Sequence, residues 1–212
     1  SDEQMLTMSL DAYKQFLTEN RNKVISTGSD ADMVTQYALG AAAAVSLVGT
    51  TAYGADGQGP APKFELSLTA TGGGALPALV DSGLTTTAGA PIYLVKEGNL
   101  IVGRVDTNGD NAISSADDKA VFAIAIDSVT GKLAVVQFES IFNPTPGASY
   151  DEEAILAPVG AAVNVVVTIE DGDGDTIASD AVDVSGQIKF EDDGPTAPSY
   201  TANLSTGTVT LD

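Results

Sequence analysis

The sequence predicts an all-β fold, a β-sandwich of Ig-like or related type preceded by a short N-terminal amphipathic helix. Three observations predict it. Short runs rich in Val, Ile, Thr and Phe recur from about residue 34 onward. Clusters of Gly, Pro, Asn and Asp separate those runs, as turns between strands require. Only one stretch, near the N-terminus, spaces its apolar residues for a helix. Many short strands beside so little helix are the pattern of two packed sheets.

In chain order, Met5, Leu6, Leu10, Tyr13, Phe16, Leu17, Val24 and Ile25 recur at roughly helical spacing, which predicts a helix over 10–24. Ser9 or Asp11 stands near its start and Gly28 past its end, and its apolar face is expected to pack on the neighbouring domain. Strands are expected at 44–51, 63–69, 91–96, 100–105, 120–127, 132–139, 163–170, 178–184, 187–190 and 208–211. Within 120–127, Val121, Ala123 and Ala125 alternate with Phe122, Ile124 and Ile126, so one face can be buried. Ser128-Val129-Thr130-Gly131 reads as a tight hairpin turn, and residues 72–90 read as a loop. Three units follow: a helical segment over 1–33, a β module over 34–196, and a linker over 197–212 with the first strand of a following module or a closing strand.

Composition limits what such a fold can do. With 212 residues, 43% of them hydrophobic, and mean hydropathy +0.12, the chain has enough apolar material for one substantial core. The most apolar stretch, 38–48, is too short and too rich in Ala and Gly to span a membrane. The first residues are polar and acidic, unlike a signal peptide, so the sequence reads as a fragment or an internal module. Nine Lys and Arg stand against 29 Asp and Glu, a net charge of −20. That surface repels nucleic acid and anionic lipid, so neither is an expected partner. It also repels itself unless cations neutralise it, and a hard divalent ion such as Ca²⁺ suits an oxygen-rich acidic surface. There is no Cys, His or Trp. Cys/His zinc sites, catalytic triads and every imidazole base are therefore absent, and the chain is not expected to be an enzyme.

The sharpest motif runs from Asp106 to Asp117. An EF-hand loop places oxygen ligands at positions 1, 3, 5, 7, 9 and 12. Those positions here are Asp106, Asn108, Asp110, the carbonyl of Ala112, Ser114 and Asp117, with Asp118 a further carboxylate at the end. Ile113 takes the apolar position, Asn111 stands where Gly is usual, and Asp117 replaces the bidentate Glu. Asn tolerates the left-handed backbone that the turn needs. An Asx-rich turn that binds nothing is the alternative. The second cluster is Asp171, Asp173 and Asp175, alternating with glycines after an apolar strand, where carboxylates can converge on one cation. Glu191, Asp192 and Asp193 form a third, placed to share a cation with a following module. Asp56, between Ala55 and Gly57, is a further candidate ligand or a turn residue.

Two other patterns carry less. Leu79-Val80-Asp81-Ser82-Gly83 resembles half of an aspartic protease site, but that chemistry needs a second such carboxylate and the sequence holds one motif. Gly72-Gly73-Gly74 has no following Lys-Ser/Thr and cradles no phosphate. Carboxylate pairs for glycoside hydrolysis exist in so acidic a chain, yet 6% aromatics without Trp offer poor sugar platforms.

Several segments occur in an order that resembles the large repeat modules of type I-secreted RTX adhesins, the giant calcium-dependent surface proteins of biofilm-forming bacteria. They are Asp81-Ser82-Gly83-Leu84-Thr85-Thr86-Thr87, Pro91-Ile92-Tyr93-Leu94-Val95, Val102-Gly103-Arg104, Phe122-Ala123-Ile124-Ala125-Ile126-Asp127 and Thr130-Gly131-Lys132. Asp171-Gly172-Asp173-Gly174-Asp175-Thr176 and Phe190-Glu191-Asp192-Asp193-Gly194-Pro195-Thr196 follow, and Gly54-Ala55-Asp56-Gly57 with Phe64-Glu65-Leu66-Ser67-Leu68 fits the early part. The likeness covers about residues 45 to 196. It implies a Ca²⁺-dependent β-sandwich on the bacterial cell surface, secreted through a type I channel, with neighbouring modules of the same polypeptide as partners. The stretch from Asp106 to Asp118 and the N-terminal helix depart from that pattern, and the nonapeptide array of RTX β-rolls is absent.

The expected role is a structural or extender module in cell adhesion. A domain that itself binds a surface glycan, peptide or protein is the alternative, with Tyr53, Tyr93, Phe142 and Tyr150 as candidate lining. A dockerin-like docking module ranks last, because dockerins carry two calcium loops and this chain has one.

Overall fold

Val, Ile and Phe alternate or run together in strands too short for helices, and the computed structural model is all-β over the residues it describes, 36–45, 56–143 and 153–191. The helix expected over 10–24, the strand at 208–211 and most of the one at 44–51 lie outside the described residues. The strands are β1 (Gln36–Ala43), β2 (Lys63–Ala70), β3 (Val80–Thr85), β4 (Pro91–Glu97), β5 (Leu100–Val105), β6 (Lys119–Ile126), β7 (Lys132–Gln137), β8 (Glu153–Ile155), β9 (Ala161–Glu170), β10 (Thr176–Ala178), β11 (Val182–Asp183) and β12 (Lys189–Glu191). A single 3₁₀ turn, Ser185–Gln187, is the only helical element among the described residues.

Strands β3 to β7 form an antiparallel meander, and β1 adds to its β7 edge, giving the order β1-β7-β6-β5-β4-β3. In the second sheet β9 pairs with β2 over eight residues on one side and with β10 and β11 on the other. A short pair, β8 with β12, completes the set. Phe64, Leu66 and Leu68 of β2 and Val163, Val165 and Val167 of β9 pack against Ile92, Ile101, Phe122 and Ile124 of the larger sheet in one core. The Phe122 ring is wholly buried and meets Phe190 at 4.8 Å between centroids, tilted by 44°. It lies over Gly103, where a Cβ would come within 2.4 Å of the ring. That glycine makes room for the largest side chain of the facing strand.

The structure differs from the sequence reading at five places. A strand lies at 36–43, where none was expected; Ala44 and Val45, the two described residues of the strand expected at 44–51, are bends, and the Ala- and Gly-rich strand is held by its ladder to β7, which propensity does not register. Residues 80–85, read as loop, form β3, with a register shift between Asp81 and Thr85 and Gly83 at φ 77°. Gly83 is required there, since a Cβ would stand 2.6 Å from the Ala157 carbonyl. The strand expected at 178–184 is two short pieces on β9, and β8 was not expected at all. Finally, β6 is buried on both faces, not one.

The 128–131 hairpin forms as expected. The Asp127 carboxylate accepts from the amides of Val129 (2.8 Å) and Thr130 (2.9 Å), and Gly131 takes φ 67°.

Candidate metal centre

Strand β9 ends at Glu170 and β10 begins at Thr176, so residues 171–175 are a hairpin turn. Its backbone closes through Asp171 N to Asp175 O (3.0 Å) and Gly174 N to Asp171 O (3.3 Å), and the Asp171 side chain accepts from Asp175 N (2.9 Å). Beside it, the approach to β2 extends the β2–β9 ladder. Gln58 bridges Asp171, Gly59 N donates to Glu170 O (3.1 Å) and Gly172 N to Gly57 O (3.0 Å). The two turns touch backbone to backbone. A Cβ on Gly172 would stand 2.1 Å from the Asp56 carbonyl oxygen, and one on Gly59 2.2 Å from that of Asp171. Only glycine permits that approach.

The approach brings three carboxylates together. One oxygen each from Asp56, Asp171 and Asp173 lies within 4.8 Å of the others, the group of acidic side chains among the described residues that is close enough to share a metal ion. Asp56 stands more than a hundred residues from its partners in sequence, so the antiparallel β2–β9 pairing supplies the contact. Asp175, expected with them, contributes its backbone to the turn but does not join the triad. Among the described residues the ion pairs Arg104–Glu97, Lys119–Glu139 and Lys189–Glu153 all lie away from the triad. The Asp171 carboxyl is held below its ordinary 3.8, first by a hydrogen bond with the Asp173 carboxyl, against an upward push from desolvation; amides of Asp175, Asp173 and Gly174 add to the lowering. Three exposed or half-buried carboxylates on two glycine-spaced turns suit a hard cation, which would take its remaining oxygens from carbonyls or water.

The Asp106 loop has a different construction. It joins β5 to β6, two neighbouring strands of the large sheet, rather than two helices. Asp106 accepts from Gly109 N (2.7 Å) and Asn111 N (3.0 Å), and Asn111 adopts φ 61°, the left-handed turn that replaces the usual glycine. Asp110 accepts from Ala112 N (2.8 Å). The Asn108 amide reaches both Asp110 (3.0 Å) and Asp117 (2.9 Å), and the Ser114 hydroxyl bonds Asp117. Asn108, Asp110, Ser114 and Asp117 are thus joined side chain to side chain across the loop, with the Asn108 amide between two of the carboxylates, while Asp106 is engaged by backbone amides of the loop.

Sequence reasoning overlooked how this loop is fastened. Asp118 is completely buried and accepts from Thr107 N and Ser114 N, each at 2.8 Å, tying the two ends of the loop. Its carbonyl takes a bond from Arg104 Nη1 (2.8 Å), and the same guanidinium forks onto Glu97 at 2.6 and 2.9 Å. The signal lay in the sequence: a lone Arg in an apolar strand, two residues before an acidic loop. In the third cluster Glu191 ends β12 in register with Glu153, and Asp192 and Asp193 lie outside the described residues. Asp81 serves the β3 bulge, where its carboxylate accepts from Gly83 N at 2.8 Å.

An all-β domain with an acidic triad at the junction of two turns is the class these observations define. The chain belongs to the family described as a domain of unknown function, DUF5801, whose model matches residues 2–185. No curated protein and no solved structure matches it. Among the described residues no helix is long and apolar enough to cross a membrane.

Proposed function

We propose that this chain is a calcium-stabilised, β-sandwich module of a large bacterial surface adhesin, acting as a structural extender rather than as an enzyme. The observation that carries the reading is the convergence of Asp56, Asp171 and Asp173 in a chain of net charge −20. The cost of gathering three carboxylates falls when a divalent cation sits among them, so ion binding and folding become one equilibrium. The Asp106 loop adds a second, hairpin-borne cluster of oxygen donors. The order of short motifs resembling RTX adhesin repeats supplies the biological setting: export as an unfolded, self-repelling chain, then folding where Ca²⁺ is abundant outside the cell.

Among the described residues, the surface favours an extender over a ligand-binding domain. Of the four aromatic residues proposed as binding-site lining, Tyr93 is half-buried in β4 and Phe142 is exposed; Tyr53 and Tyr150 lie outside the described residues. A groove of about 200 Å³ between β1, β7 and the 187–189 segment, with Ala38, Gly40 and Ala42 on one side and Leu133 and Val135 on the other, is smaller than a drug-sized ligand fills.

The test is a thermal melt in Ca²⁺ and in excess chelator, with calorimetric titration. At a free Ca²⁺ about 100-fold above Kd the gain is about 2.7 kcal/mol per site. For a domain of this size that is a rise in Tm of roughly 5–10 °C. Equal melting temperatures in the two buffers would sink the proposal.

A further inference from the structure

The β5–β6 loop carries the chain's single Asn-Gly pair, Asn108-Gly109; every other asparagine precedes a larger residue. An asparagine so placed is open to attack by the backbone nitrogen that follows it, because glycine has no Cβ to hinder the approach. Both residues are exposed, and Gly109 sits at φ 74°. Among the described residues, no atom beyond its chain neighbours lies within 4 Å of where a Cβ of Gly109 would stand. The same amide has a structural task. Its Nδ2 donates to Asp110 (3.0 Å) and to Asp117 (2.9 Å), while its Oδ1 accepts from Asp110 N (3.0 Å). The reverse orientation would set the amide oxygen against both carboxylates, so the donors face them. A neutral group thus stands between two carboxylates and holds them together.

We propose that Asn108 is a self-modification site, and that its loss of ammonia is a one-way switch which loosens the β5–β6 loop. The Gly109 backbone nitrogen gives up its proton and bonds to Cγ of Asn108. The Cγ–Nδ2 bond breaks, and Nδ2 leaves with that proton as ammonia. The five-membered imide that remains takes up one water. Opening at Cγ gives aspartate; opening at the main-chain carbonyl gives isoaspartate, with one more carbon in the loop backbone. In either product a carboxylate replaces the amide, so the donor to Asp110 and Asp117 becomes a further negative charge beside them. Two attractions are lost and two repulsions take their place. The fold supplies a brake on this reaction. The Gly109 N–H is held by Asp106 Oδ1 at 2.7 Å, so attack waits on a local opening of the loop. The loop is exposed, and such openings are frequent there.

The full-length protein is kept in chelator in warm, mildly alkaline buffer, and peptide mapping with mass detection follows each asparagine. Asn111, exposed in the same loop but followed by Ala112, is the internal control. The expected result is conversion of Asn108 to a mixture of aspartate and isoaspartate well ahead of Asn111, while the far-UV β signal persists. Conversion of Asn108 no faster than that of Asn111 overturns the site. Asn108→Asp supplies the aspartate product directly and tests the switch. Hydrogen exchange across 106–117 should quicken by on the order of tenfold in chelator, as expected when two exposed bonds are lost, and exchange in the 171–175 turn should not change. Unchanged exchange across 106–117 overturns the switch. With chelator present throughout, neither result depends on calcium binding, so a failure here is distinct from a failure of the calcium reading.

Discussion

Glycine and aspartate act at the candidate centre as a pair of constraints. The aspartates supply charge, and the glycines allow two turns to approach until those charges meet. Gly172→Ala would put a methyl 2.1 Å from the Asp56 carbonyl oxygen, a distance that forces the turns apart. The expected outcome is loss of most of the Ca²⁺-dependent rise in Tm, with a smaller change of stability in chelator; calorimetry in both buffers checks it. Asp171 carries a second prediction. Because its folded carboxyl titrates below 3.8, its contribution to stability is present above that value and is lost as pH falls through the lower folded value. In metal-free protein the carboxyl carbon of Asp171 should titrate below 3.8, read by NMR, and Asp171→Asn should flatten the acid limb of the stability curve.

At the scale of elements, the β5–β6 loop is anchored to the sheet more firmly than an acidic surface loop needs to be. Arg104, 2% exposed, holds Glu97 and the Asp118 carbonyl, while the Asp118 carboxylate ties both ends of the loop. Arg104→Met leaves Glu97 and that carbonyl without their donor. A wholly buried pair would cost about 3–5 kcal/mol to break; Glu97 is partly exposed, so roughly 2–3 kcal/mol is expected in urea unfolding. Asp118→Ala strands two amides and should cost about 1–3 kcal/mol for each one left unpaired and buried. It should also widen hydrogen exchange across 106–117 while sparing the Asp171 turn. Equal exchange in both loops would contradict this separation of the two clusters.

Over the whole molecule, charge and core oppose each other. A net charge of −20 on 212 residues repels itself, and one continuous core across two sheets resists that repulsion. In chelator, raising NaCl from 10 to 150 mM shortens the screening length from about 30 to about 8 Å. The expected result is a higher Tm with added salt in chelator and a weaker salt effect once Ca²⁺ is present. A Tm that falls with salt in chelator would show that attractive pairs, rather than repulsion, dominate the surface.

Local chemistry was enough to determine the strands at 63–70, 91–97, 100–105 and 132–137, because alternation and turn residues are properties of neighbours in the chain. The left-handed turn at Asn111 and the Asp127 hairpin were legible for the same reason. Acidity and the absence of His and Cys likewise limited the chemistry before any fold was known. Tertiary structure decided what depends on residues far apart. It made a strand of Val80–Thr85 through pairing with β4, and it left Asp175 outside the triad while bringing Asp56 in. It buried β6 on both sides, where the sequence pattern supported one. A chain can state which residues are able to bind or to bury, but the β2–β9 register alone sets which of them meet, since that pairing closes a loop of about a hundred residues.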